Sequence, residues 1–214
     1  MRLLKLKKKK YPGKLIVFEG TDGAGKTTQI TKVLELLKEK YGEEKIVSLK
    51  QPTDLSRKTK LFQKMMYSQS HDDIDYRAVQ LLTMSDRIQH GFEVIEPALK
   101  EGKIVVCDRY IYTSYVNMLA RGYKREKWFR DVSKHILKPD IKFLVYVNPH
   151  IAIGRIKSRP EEANRYLDTL LLKRVSKLFK KYALKDKFTI IETIQDEKDS
   201  FDLVVKTLQK KGII

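Results

Sequence analysis

The stretch Gly20-Thr21-Asp22-Gly23-Ala24-Gly25-Lys26-Thr27-Thr28 carries residue types and spacing suited to holding a polyphosphate. Its pattern, G-x-x-x-x-G-K-[ST], needs each part for a mechanical reason. Gly20, Gly23 and Gly25 let the backbone bend so that successive N–H groups, including those at Asp22 and Ala24, point at phosphate oxygens. Lys26 supplies a point charge for the β- and γ-phosphates. Thr27 offers a hydroxyl to Mg²⁺, and Thr28 continues the same helical turn. A helix opening at Lys26 would turn its positive dipole end toward the same anion. A carboxylate for the metal is expected at Asp108, which follows the apolar run Ile104-Val105-Val106-Cys107. The residue after it is Arg109, not an acid, which suits clamping transferring phosphates rather than activating water.

These residues need strands and helices to place them. The apolar run Leu15-Ile16-Val17-Phe18 reads as a buried strand within 14–19, and a helix is expected over 26–41 until Gly42 stops it. Further strands are expected at 45–49, 103–107, 142–147 and 188–191. Helical segments lie between them at about 55–67, at 76–100 as one long helix, on both sides of Gly122, from Pro149, around Leu171 to Tyr182, and at the C-terminus. This alternation predicts an α/β class fold: a three-layer α/β/α sandwich whose five-stranded parallel sheet is flanked by helices. Residues 14–214 form one expected domain after a basic extension at 1–13.

Composition bounds the function. The chain has 214 residues, with 45 Lys and Arg against 27 Asp and Glu, for a net charge of +18. That excess fits either a nucleic-acid partner or a pocket for polyanionic nucleotides on a lysine-rich surface. The lysines are spread over many helix faces without aromatic interleaving, which favours the nucleotide pocket and makes nucleic acid an unlikely partner; Lys7 to Lys10 remain a candidate electrostatic tag. The single cysteine, Cys107, sits in an apolar run and is expected to be a buried thiol in the cytoplasm, not a bridge. No apolar stretch is long enough to span a bilayer, so no membrane partner is expected.

With these motifs in hand, the chain resembles the thymidylate kinases, a family of P-loop nucleoside monophosphate kinases. The resemblance rests on four segments: the loop from Phe18 to Gln29; Ser85-Asp86-Arg87 in the long helix; Asp108-Arg109-Tyr110; and Leu144-Val145-Tyr146-Val147-Asn148-Pro149 with Arg155 beyond. It implies transfer of the ATP γ-phosphoryl group to the 5′-phosphate of a nucleoside monophosphate. Lys26 would then hold the donor, and Thr27 with Asp108 would organise Mg²⁺. Asp22 would meet the acceptor sugar, Arg109 would bridge donor and acceptor phosphates, and Arg87 would reach the acceptor base. Lys50 stands where the family places an arginine for the acceptor phosphate, a weaker anchor; Arg57 nearby either assists it or, as its helix position favours, is a solvated surface residue.

None of the variable positions of the phosphate loop is basic. The resemblance therefore implies a lid, at about 157–166, that supplies the catalytic arginine, with Arg159 and Arg165 ahead of Arg155. It also implies a homodimer. Two departures concern the acceptor base: Thr83 replaces a stacking phenylalanine, and Val116-Asn117-Met118 replaces an Ala-Tyr-Gln triplet. Tyr112 and Tyr115 are either new aromatic walls or core. The acceptor is expected to be dTMP, with AMP, dCMP or dUMP as alternatives. A basic nucleic-acid-associated ATPase is a third reading, although the chain lacks an Asn-Lys-x-Asp motif and a helix-turn-helix signature.

Overall fold

The computed structural model describes residues 1–68, 70–160, 166–193 and 197–214. Five strands, β1 (Lys14–Glu19), β2 (Ile46–Lys50), β3 (Ile104–Asp108), β4 (Ile141–Tyr146) and β5 (Thr189–Glu192), form one sheet in the order β2-β3-β1-β4-β5. Every pairing is parallel. Strands two to five lie about one residue from their expected bounds. Alternate residues of β1 face opposite ways, as the strand period of two requires. Leu15 and Val17 join one core with Val105, Cys107 and Leu144. Ile16 and Phe18 join the other with Val106, Phe143 and Val145. Phe18 stacks on Phe143 with ring centroids 4.8 Å apart.

Helices cover both faces. On one side lie α1 (Lys26–Tyr41) and α10 (Glu197–Lys210), whose Val33, Leu37, Val204 and Leu208 are fully buried. On the other lie α4 (Tyr76–His90), α5 (Glu96–Lys100), α6 (Ile111–Ala120) and α9 (Thr169–Lys185). The helix expected over 76–100 is in fact interrupted by a π-helical turn at Gly91–Ile95. Pro97, at the start of α5, explains the break. Its ring displaces the carbonyl four residues earlier and it donates no N–H, so the ladder widens before it.

The segment expected at about 55–67 divides into α2 (Asp54–Arg57) and α3 (Lys60–Tyr67), capped by the Thr53 and Thr59 hydroxyls. Two more helices, α7 (Lys127–Ser133) and α8 (Pro149–Lys157), complete the order. The basic N-terminal residues lie against the domain. Lys7 forms a parallel bridge to Leu137, Lys9 pairs with Asp140 at 3.0 Å, and the Tyr115 hydroxyl donates to the Arg2 carbonyl.

The chain runs from β1 outward to β2 and returns to β3 between them, then crosses to β4 on the other side of β1. The direction reverses between β1 and β3. In open parallel sheets, ligands bind outside the carboxyl ends of the strands at this point, and here Glu19, Asp108 and Lys50 end β1, β3 and β2.

Candidate active site

The loop leaving β1 wraps back on itself because two of its glycines sit where no side chain fits. Gly20 has φ +145°, and a Cβ there would lie 2.3 Å from the Val145 carbonyl oxygen; Gly23 has φ +74° and approaches the Ala152 carbonyl as closely. The loop therefore lies pressed on β4 and α8. Lys26 folds back under it and donates to the carbonyls of Gly20 at 3.2 Å and Thr21 at 3.1 Å. Only 8% of Lys26 is exposed. Burial, with the nearby Arg109 cation, lowers its pKa to about 8.

Arg109 has the left-handed φ of +64°, held by its own N–H on the Phe18 carbonyl at 2.8 Å. Its guanidinium donates to the Gly20 carbonyl at 2.9 Å and to the Thr113 hydroxyl at 3.3 Å, and pairs with Asp22. Arg109 is thus tied to the glycine loop from a different strand. Asp108 beside it has a buried Oδ1 with no hydrogen-bond partner. That orphaned oxygen and the exposed Thr27 at the first turn of α1 fit a hard cation such as Mg²⁺. Among the described residues no group of three His, Cys, Asp or Glu could hold a metal alone, so phosphate and water oxygens would complete the shell, as Mg²⁺ prefers.

Two residues that sequence reasoning missed set this geometry. Glu19 is fully buried behind Arg109, where it accepts the Tyr110 N–H at 3.0 Å, the Thr113 N–H at 3.1 Å and the Thr113 hydroxyl. Burial raises its pKa to about 7, against the opposing pull of these donors and of Arg109. The signal was present as an acid ending an otherwise apolar strand. The second is Asp86, 1% exposed, whose Oδ2 accepts the N–H groups of Thr53 at 2.8 Å and Ser56 at 3.2 Å. It pins the β2–α2 loop beside the site. Nothing local in the sequence foretold that long-range contact.

A cavity of about 440 Å³ opens from Gly20, Asp22 and Arg109 and runs between α4 and α6. Lys50 lies exposed at its mouth. Arg57 also lines it, contrary to the expected solvated position. Its Nε donates to the Pro52 carbonyl at 2.6 Å, and its pKa is lowered by burial and then by Arg109. Arg87 lines the cavity too and is 2% exposed, not a surface arginine. It donates to the carbonyls of Thr83 at 3.0 Å and Tyr110 at 3.4 Å, while its buried Nε lacks a partner.

Tyr112 and Tyr115 are core residues, packed with Tyr182, Phe188 and Phe129. Cys107 is buried and free, with its thiol pKa raised by burial. Beyond α8, Arg155 reaches the Gly23 carbonyl at 3.3 Å and the Thr193 carbonyl at 3.2 Å. Arg159 is exposed just after the helix. Arg165 lies outside the described residues, as does half of the expected lid.

A strand-to-helix phosphate loop, a carboxylate on the neighbouring strand and a cation-lined cavity beside them define a P-loop nucleoside monophosphate kinase. The sequence model of the thymidylate kinase family matches residues 18–204. The chain belongs to the thymidylate kinase family. It is 39% identical over 150 residues to a probable thymidylate kinase of Pyrococcus horikoshii, covering 69% of this chain and 71% of that one. It is 31% identical over 205 residues to the thymidylate kinase of Wolbachia pipientis, covering 92% and 96%. The crystal structure of thymidylate kinase from Ehrlichia chaffeensis shares the fold with a TM-score of 0.66 at 24% identity, over 92% of this chain and 99% of that one.

Proposed function

We propose that the chain transfers the γ-phosphoryl group of Mg²⁺-ATP to the 5′-phosphate of dTMP, giving dTDP. The observation that carries this reading is Arg109, whose guanidinium bonds the donor loop at Gly20 while lining the acceptor cavity. Phosphoryl transfer asks a protein mainly to position two anions and neutralise the charge between them. Loop amides and Lys26 bind the donor phosphates, and Arg109 spans donor and acceptor. Lys50 and Arg57 hold the acceptor phosphate, with Arg57 able to bind it bidentately. Asp22 receives the acceptor sugar hydroxyl and, through its ion pair, keeps the Arg109 head over the loop. Arg87 presents donors to the base.

Thr27 and Asp108 would hold Mg²⁺, which when bound would screen the phosphate charge. Arg159 and Arg165 are the proposed source of lid charge for the transferring group, and Arg155 braces the loop through the Gly23 carbonyl. A cytoplasmic setting is proposed from the lone buried thiol. Homodimer formation through α4 and the following π turn is supported by Leu81 and Phe92, which are 53% and 72% exposed. An ADP-release assay across the common ribo- and deoxynucleoside monophosphates tests the reaction. Fastest turnover with dTMP is expected; ATP-dependent activity with none of them would overturn the proposal.

A further inference from the structure

The acceptor cavity lacks the aromatic face that the base of a nucleotide needs at position 83, where Thr83 instead turns its hydroxyl to the Gln80 carbonyl at 3.2 Å. Another surface lies across the cavity. Helix α6 is buried along its length except for Thr113 and Asn117. These two and Arg121, four residues on, all line the cavity. They form a ladder that starts at Arg109. The Arg109 guanidinium donates to the Thr113 hydroxyl at 3.3 Å, the Asn117 amide to the Thr113 carbonyl at 2.9 Å, and Arg121 to the Asn117 Oδ1 at 3.0 Å.

At the top of the ladder the Arg121 guanidinium lies over the Tyr76 ring, 4.1 Å from its centroid. Tyr76 is itself 8% exposed and lines the same cavity from α4. Ten residues of helical rise separate Ile111 from Arg121, roughly 15 Å, and Arg109 lies two residues further back. Helical side chains lean toward the N-terminus, so the Arg121 head comes back toward Arg109. The remaining span is comparable to a nucleoside monophosphate laid from its phosphate to its base.

We propose that Arg121, laid on Tyr76 and steered by Asn117, is the stacking platform for the acceptor base. One guanidinium face rests on the ring and the planar cation offers the other to the base, as arginine planes do in recognising unpaired nucleotides. Its unused N–H groups, with those of Arg87, make the base end of the cavity rich in donors. Such a site fits a base whose edge carries carbonyl oxygens, as in thymine or uracil, over one that presents an exocyclic amine. Arg121 is thus a specificity-determining residue rather than a catalytic one. The inference rests on the nucleoside monophosphate kinase reading above.

The test compares wild type, Arg121→Ala and Arg121→Lys with dTMP, dUMP, dCMP and AMP as acceptors. Lysine keeps the charge but has no plane. Both variants are expected to raise KM for dTMP and dUMP about tenfold or more, with KM for ATP unchanged and the melting temperature within a few degrees. The preference for dTMP over dCMP should shrink in both. An unchanged KM for dTMP in Arg121→Ala, or full function in Arg121→Lys, would overturn the platform. A wild-type enzyme inactive with every monophosphate would instead overturn the kinase reading, so the two failures are separable.

Discussion

The Lys26 ammonium sits under the phosphate loop with 8% of the residue exposed, and burial together with Arg109 lowers its pKa from 10.5 to about 8. Keeping it charged there at neutral pH costs about 3 kcal/mol relative to water. A bound triphosphate offsets that cost by supplying opposite charge, and so restores the pKa toward its ordinary value. Binding should then take up a proton wherever free Lys26 is neutral. The sign follows directly: affinity is highest below pH 8 and falls as pH rises through it, by up to tenfold per pH unit. Between pH 7.5 and 9.5 the dissociation constant of a non-hydrolysable ATP analogue should rise roughly twentyfold. Calorimetry in buffers of different ionisation enthalpy would report both the affinity and the proton uptake. Lys26→Met should bind weakly and with little pH dependence. It should unfold no more easily than wild type without nucleotide, because the buried charge is gone. A wild-type dissociation constant that stays level from pH 7.5 to 9.5, with no proton uptake, would refute the reasoning.

Arg109→Ala should lower kcat by about a thousandfold, the range of an arginine that neutralises transferring phosphates, while the dissociation constant for ATP changes by less than about tenfold; equal losses in both would contradict a bridging role. Glu19, with its pKa raised to about 7, contributes stability that is complete below pH 4.5 and is lost as pH rises through 7. Denaturant unfolding at pH 5 and 8 should show up to about 3 kcal/mol of that loss in wild type and much less in Glu19→Gln; the same slope in both would remove Glu19 as its source. Gly20→Ala would place a Cβ 2.3 Å from the Val145 carbonyl and should cost about 1–3 kcal/mol of stability along with ATP binding. A variant with wild-type melting temperature and affinity would show that the loop is not pressed on β4.

Much of this molecule was legible without coordinates because its signals are local. An apolar strand, a glycine loop and a helical period follow one another within about thirty residues, so backbone geometry and phosphate chemistry are encoded side by side. The five strands and the parallel order came from the alternation of periods, since a parallel connection needs a helix to cross. The roles expected of Lys26, at the head of a helix, and of Asp108 and Arg109, at the end of a strand, rested on residue type and position. Helix bounds were less secure: Pro97 widened the preceding turn, a consequence of one residue that periodicity averages away.

Tertiary structure alone decided what lines the cavity between α4 and α6. Tyr112 and Tyr115 had the chemistry of walls, but the rotation of α6 sends them into the core and leaves Thr113, Asn117 and Arg121 facing inward. Arg57 looked solvated until Asp86, thirty residues away, drew its loop against α4. Glu19 gained its raised pKa only because folding closes Tyr110 and Thr113 over it and excludes water. Sequence by itself determined the phosphate loop, because its glycines and the Lys26 bonds to Gly20 and Thr21 lie within one short stretch, although Arg109 and Arg155 brace it from other segments. The cavity waited on the fold, because its lining comes from segments that only packing brings together.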